Sequence, residues 1–231
     1  ELDTDFRELA TDNRMLFNGM LGFGLEVGEH KFRFTNLFIR DTLKRASLEQ
    51  GTDFQDGDDE FIQNTAWFER QLLNSQFVGE LEFGKLSVDL RGGYAQTQRE
   101  APFEWTIEYV RTNNANDPFG DTYLNTLDPQ RGGAIVSFSD LSENLWYGGI
   151  DLGYEITDWL NATVGYAYTD TDRFSTRREF DIRASSTFPD AFGALRPDNL
   201  LGDALIDFGF DREAQLAGGL SPYELNIFET T

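Results

Sequence analysis

The chain has 231 residues and a mass of 26.3 kDa, with 41 acidic against 19 basic residues and a formal net charge of −22. This excess of carboxylates argues against nucleic acid as a partner, because a phosphate backbone is gripped through clustered Lys and Arg. There is no cysteine, which excludes disulfides, thiol nucleophiles and thiolate metal sites.

The first residues, ELDTDFRELATD, lack a basic stretch followed by an apolar one, so no signal sequence is expected in them. A two-residue period then begins. In 15–27, MLFNGMLGFGLEV, Phe17, Gly19, Leu21, Phe23, Leu25 and Val27 alternate with Asn18, Gly22, Gly24 and Glu26. In 31–40, Phe32, Phe34 and Phe38 share a face opposite Lys31, Arg33 and Thr35, with Asn36 as a polar blemish. In 73–83, Leu73, Phe77, Gly79, Leu81 and Phe83 oppose Asn74, Gln76, Glu80 and Glu82; in 86–97, Leu86, Val88, Leu90, Gly92 and Tyr94 oppose Ser87, Asp89, Arg91 and Thr97. In 146–157, Trp146, Gly148, Ile150, Leu152, Tyr154 and Ile156 oppose Asp151, Glu155 and Thr157. In 160–169, Leu160, Ala162, Val164, Tyr166 and Tyr168 oppose Asn161, Thr163 and Thr169. These are amphipathic β-strands, and the excess of Phe, Tyr and Gly suits twisted antiparallel pairing. A short helix is expected around 199–207, and YELNIFETT at the end of the chain reads as the start of a seventh strand.

Tight connections alternate with long ones in this reading. Gly28–Lys31, Gly84-Lys85 and Thr157-Asp158-Trp159 join hairpins, whereas roughly 16, 40 and 45 residues follow the second, fourth and sixth strands. If neighbours share their apolar face, Val27 lies opposite Phe32, Phe83 opposite Leu86, and Ile156 opposite Leu160. A two-residue turn at Gly84-Lys85 sets Glu80 opposite Asp89, and a turn two residues longer sets it opposite Arg91; both remain open. The long connections are rich in turn formers and charge: GTDFQDGDDE, RTNNANDPFGDTYLNTLDPQRGG, and the segment from Arg173 to Ser221.

The period gives two faces without saying which is wet. Three features favour lipid on the apolar side: all tight turns at one end, no charge on the apolar positions, and Phe32, Phe83, Tyr154 and Trp159 gathered near the turns. The expected fold is all-β, an antiparallel up-and-down transmembrane β-barrel fragment of six strands and part of a seventh. Residues 1–231 then form one partial barrel domain, with tight periplasmic turns and long extracellular loops. The alternative is a soluble or surface-exposed β-rich binding module with a dry apolar core.

The run NTAWFERQLLNSQFVGELEFGKLSVDLRGGYAQTQREAPFEW, with AIVSFSDLSENLWYGGIDLGYEITDWLNATVGYAYTDTDRFSTRREFDIR, resembles the barrel region of TonB-dependent outer-membrane receptors, particularly large alphaproteobacterial ones. The similarity spans about Leu16 to Ile182 and the terminal YELNIFETT, and lies in strand texture rather than in a short motif. It implies a 22-stranded barrel around an N-terminal plug, of which this chain is an internal fragment without the plug. It further implies a Gram-negative outer membrane, and partners in its lipid, the plug domain of the parent receptor and the TonB energy-transducing protein. The cargo would be a scarce nutrient, a small molecule or glycan of the siderophore, cobalamin or glycan class.

No catalytic residue, cofactor site or metal site is assigned. His30, the lone histidine, is placed in the first tight turn with no second imidazole to help it. The acidic segment Asp53, Asp56, Asp58, Asp59 and Glu60 resembles a calcium loop in composition but not in ligand order, and reads as solubilising charge. Gly92-Gly93, Gly132-Gly133 and Gly148-Gly149 fit no phosphate-loop pattern and are expected to mark bends or turns. Glu26, Arg33, Glu80, Asp89, Arg91, Asp151 and Glu155 are expected to face a lumen. The candidates for ligand contact are the residues Trp105, Tyr109, Phe119, Tyr123 and Arg131, assigned to a long loop on the side from which ligands enter in this family.

Overall fold

The computed structural model describes residues 3–55, 57–128, 131–184, 188–203, 205–206 and 223–230. Seven strands, β1 (Thr4–Val27), β2 (His30–Asp53), β3 (Asp58–Phe83), β4 (Leu86–Arg111), β5 (Ala134–Thr157), β6 (Leu160–Ala184) and β7 (Tyr223–Thr230), form one sheet in sequence order. Every pairing is antiparallel, so the chain runs up and down as a meander, consistent with a fragment of a barrel. Two helical turns, α1 (Asp190–Gly193) and α2 (Pro197–Leu200), precede β7, and Asp203, Leu205 and Ile206 are helical again. The single helix expected over 199–207 is thus replaced by separate short turns, with Asp207 outside the described residues.

β1 to β6 are 24 to 26 residues long, roughly 80 Å each at ~3.3 Å per residue. This is about twice what the alternation indicates, because beyond the apolar stretch both faces carry polar residues and the two-residue signal vanishes. The connection after β2 is therefore a tight turn at 54–57, not a loop of some 16 residues. Gly57 closes it with φ of 77° and an N–H donated to the Asp53 carbonyl at 2.9 Å. The long connections that remain follow β4 (112–133) and β6 (185–222).

At the other end the hairpins keep the expected parity, by means that differ in detail. The β1–β2 turn is Gly28-Glu29, so Val27 pairs with His30 rather than Phe32, and Phe32 lies opposite Leu25. His30 is thus the first residue of β2, not a turn residue; its Nδ1 accepts the Glu82 N–H at 3.2 Å and its ring lies 5.0 Å from that of Phe83. Gly84-Lys85 forms a two-residue turn that pairs Phe83 with Leu86 and Glu80 with Asp89. Gly28 and Gly84 take φ of 64° and 66°, the positive value required at the first central position of a II′ turn. After β5 the turn is Asp158-Trp159, and the odd residue is absorbed by a bulge at Ile156 between the Glu155–Asn161 and Thr157–Leu160 pairs.

A second bulge re-aims β4. The register breaks between Ala101 and Glu104, at Pro102, which has no N–H to offer a ladder. Before it the even residues Leu86 to Glu100 share the apolar face; after it the odd residues Phe103, Trp105, Ile107 and Tyr109 do.

Candidate functional site

One face of the sheet carries an apolar band above the tight turns. A representative row across the ladder reads Leu25, Phe32, Gly79, Leu90, Ile150, Tyr166. Ile150 and Val164 are 38% and 68% exposed, and Leu81 and Leu90 are half-buried among their lateral neighbours. Asn36, the blemish in β2, donates through Nδ2 to Ser75 Oγ at 2.5 Å on the same face, so the two polar groups satisfy each other inside the band. Aromatics mark both margins. Phe83, Tyr154 and Trp159 lie by the turns; Phe17, Phe38, Tyr94, Trp146 and Tyr168 lie at the far edge. There Tyr94 and Trp146 rings are 4.4 Å apart, and the Tyr94 hydroxyl donates to Asn144 Oδ1 at 2.8 Å, away from the band.

The band crosses the ladder obliquely. The first polar residues past its far edge are Asn13, Arg40, Gln71, Gln96, Asn144 and Asp170. Asn13 stands four residues above the row that joins Phe17, Arg40 and Gln71; Gln96 and Asn144 stand two below it, and Asp170 four below. Eight residues at ~3.3 Å over five strand spacings of ~4.8 Å is a slope of about 45°. The tight turns step down by about two residues per hairpin, a slope of about 35°. Both agree with the roughly 35–45° at which strands tilt from the axis of a closed barrel. At that tilt, ten residues of strand give a band about 25 Å tall.

The opposite face is polar near the turns. Glu26, Lys31, Glu80, Asp89 and Asp151 succeed one another along one row, with Arg91 Nη1 on Asp151 at 2.7 Å. Glycines here make room rather than bends: a Cβ on Gly93 would strike the Tyr147 ring at 2.5 Å, and one on Gly149 would strike Arg91 Nε at 2.8 Å. Only Gly132, with φ of 73°, serves as a turn residue among the three expected pairs.

At the loop end, a small core closes over the apolar face. Leu127 and Leu200 cover Ile107, Tyr109, Ala134 and Ile182, with Phe61, Trp105, Tyr123 and Phe188 around them. Ala134 and Ile182 share the parity of Ile150 and Tyr166 along unbroken stretches of β5 and β6, so this cap lies on the same face as the band. Its keystone is Asn125, fully buried. Nδ2 donates to the carbonyls of Glu108 (2.9 Å) and Gly133 (3.1 Å), and Oδ1 accepts the Leu127 N–H at 2.9 Å. That clamp holds Leu127 at φ of 51°, a conformation that costs a residue with a Cβ about 1–2 kcal/mol and is offset by burying the side chain.

The five ligand candidates separate. Trp105 and Tyr109 belong to β4, not to a loop, and the Pro102 bulge turns them onto the apolar face under the cap. Tyr109 is 5% exposed, its hydroxyl donates to the Leu195 carbonyl at 2.8 Å, and burial followed by the nearby Asp198 pushes its pKa well up. Tyr123 also packs on this core, accepts from Gln50 Nε2 at 3.1 Å and carries the Arg111 guanidinium 4.7 Å above its ring. Phe119 and Arg131 do lie together, lining a cavity of about 350 Å³ with Thr112, Asp117, Asp128 and Asp190. Arg131 also engages the buried carboxylate of Asp58.

The acidic segment is spent on neighbours. Asp59 accepts from Thr52, Arg111 and Asn113, at 2.6, 2.6 and 3.0 Å, and these bonds hold its carboxyl down to about 2. Burial raises Glu108, against a backbone hydrogen bond from Gly132 that lowers it. Asp56 lies outside the described residues. Asn125, Leu127 and the pairings of Asp58 and Asp59 have no signature in the sequence, since each depends on strand register or on the fold of 112–133.

Fold and site together define a long-stranded antiparallel sheet with an oblique apolar band, a charged reverse face and a capped loop end. No family model matches the chain, and no curated protein is similar to it.

Proposed function

We propose that this chain is a section of the wall of an outer-membrane β-barrel, with the apolar band against lipid and the charged face toward an aqueous lumen. The observation that carries this reading is the slope of the band. A membrane boundary is perpendicular to the barrel axis, so tilted strands must cross it obliquely and in step with their register. A dry core under a second sheet places no such demand on where polarity begins. The aromatic margins and the mutual satisfaction of Asn36 and Ser75 support it further.

Within that class the chain acts in transport, as part of a TonB-dependent receptor that imports a scarce nutrient in a Gram-negative bacterium; it is not an enzyme. This finer reading rests on the resemblance of Asn64–Trp105 and Ala134–Arg183 to such barrels. The tight turns at 28–29, 84–85 and 158–159 then face the periplasm, and the turn at 54–57, the cap and the cavity at Phe119 and Arg131 face the outside. The lipid reading is tested by refolding with and without detergent micelles: a monodisperse β-rich species only in micelles supports it, and a monodisperse β-rich species in plain buffer refutes it. The receptor reading is tested by sequencing upstream of Glu1, where a plug domain is expected; another class of domain there would refute it.

A further inference from the structure

We infer that the reverse, charged face of the sheet holds an oxyanion site formed by Arg70 and Arg99, taking a small ligand that bears carboxylate or phosphate groups. The inference is independent of the lipid reading, because these side chains lie on the face opposite the band. In register, Asp41 of β2 lies beside Arg70 of β3, and Arg70 lies directly opposite Arg99 of β4. Two arginines facing each other across a strand pair repel, an arrangement that antiparallel sheets avoid.

Asp41 does not resolve the conflict. Its two oxygens are taken bidentately by Arg14, through Nε at 2.8 Å and Nη2 at 2.9 Å, and Arg70 Nη1 reaches it only at 4.0 Å. Among the described residues no carboxylate comes within 4.0 Å of Arg99. Arg14 and Arg70 thus share one carboxylate and Arg99 has none within that distance among the described residues, in a chain with 41 acidic and 19 basic residues. What holds the pair is Phe68: the guanidinium carbons of Arg70 and Arg99 lie 5.9 and 5.5 Å from its ring centroid. Planar guanidiniums fixed against an aromatic ring keep their N–H edges available, and a planar or tetrahedral oxyanion accepts from such edges in pairs. An anion bound there removes the repulsion as well as making hydrogen bonds.

The test uses the whole chain folded in zwitterionic detergent, titrated calorimetrically with citrate and with inorganic phosphate at fixed ionic strength. Binding of either is expected, weakened at least tenfold in Arg99→Gln and in Arg70→Gln and unchanged in Arg196→Gln, an exposed arginine paired with Asp198 in the loop. No binding of either anion, or equal affinity in Arg99→Gln and the parent, overturns the proposal. Thermal melting supplies a second readout. Without anion, Arg99→Gln melts higher than the parent because a like charge is gone, and citrate stabilises the parent alone. A lower melting temperature for the anion-free variant would mean that Arg99 already has a partner within the chain, which also overturns the proposal.

Discussion

Replacing Ile150 by Arg puts a charge at the centre of the band on β5. Ile150 lies four residues from Trp146 at one margin and four from Tyr154 at the other. At ~3.3 Å per residue and a tilt near 40°, that is about 10 Å below either boundary. An arginine at such depth costs about 2–4 kcal/mol, and near the interface about 0–1. Ile150→Arg is therefore expected to destabilise the protein by about 3 kcal/mol, and Tyr154→Arg by less than about 1 kcal/mol, where the long side chain reaches water. Asn144→Arg, in the polar collar past the far margin, is expected to cost only the hydrogen bond that Asn144 accepts from Tyr94, about 1 kcal/mol. The assay is equilibrium urea unfolding in phosphatidylcholine vesicles, with slopes compared so that only midpoint changes count as stability. Equal costs at Ile150, Tyr154 and Asn144 would refute the lipid reading, since only a bilayer imposes a gradient with depth along one exposed strand.

Three further outcomes follow from the geometry. Asn125→Ala removes the side-chain donor from the carbonyls of Glu108 and Gly133, leaving Gly133 with the Glu108 N–H, and releases Leu127; a loss of about 2 kcal/mol is expected in the cap, read as faster amide exchange and protease nicking within 112–133 while the hairpins at the turn end stay protected. Asp59 is lowered from its ordinary 3.8 to about 2, so its stabilising contribution is full above about pH 4 and disappears as pH falls through 2; Asp59→Asn should remove about 1 kcal/mol at pH 7 and flatten the pH dependence of nicking between pH 4 and 2. Asp89 has Glu80 on one side and Asp151 on the other, so Asp89→Asn should raise the unfolding midpoint by the equivalent of about 0.5 kcal/mol, an effect that disappears in high salt.

What the sequence discloses is the part of each strand whose two sides meet different surroundings. Phe17 to Val27, Leu81 to Leu90 and Trp146 to Tyr154 alternate because only one side is apolar, and their pairing follows from parity. The outer halves of the strands carry polar residues on both sides, as where Arg45 of β2 reaches Glu8 and Asp12 of β1, so period two leaves no trace there. The turn after β2 does have a sequence signal, the Asp56-Gly57 dipeptide, hidden within a run of acidic residues that reads as a loop. Trp105 and Tyr109 are misplaced for another reason: the bulge at Pro102 inverts parity, and nothing in composition tells which way the chain faces after a bulge. The cap is less legible still, because its keystone is one asparagine whose three partners come from the end of β4 and from the connection 112–133. The Arg70–Arg99 opposition emerges only once the register is known.

Lipid contact at the band is most directly measured by single-cysteine substitution, which the absence of native cysteine makes clean. Each position from Tyr147 to Glu155 carries a fluorophore in turn, in vesicles whose lipids bear bromine on the acyl chains. Strong quenching at 148, 150, 152 and 154 with weak quenching at 147, 149, 151, 153 and 155 is the predicted result. Uniformly weak quenching, or quenching strongest at the odd positions, would contradict a wall whose apolar band faces hydrocarbon.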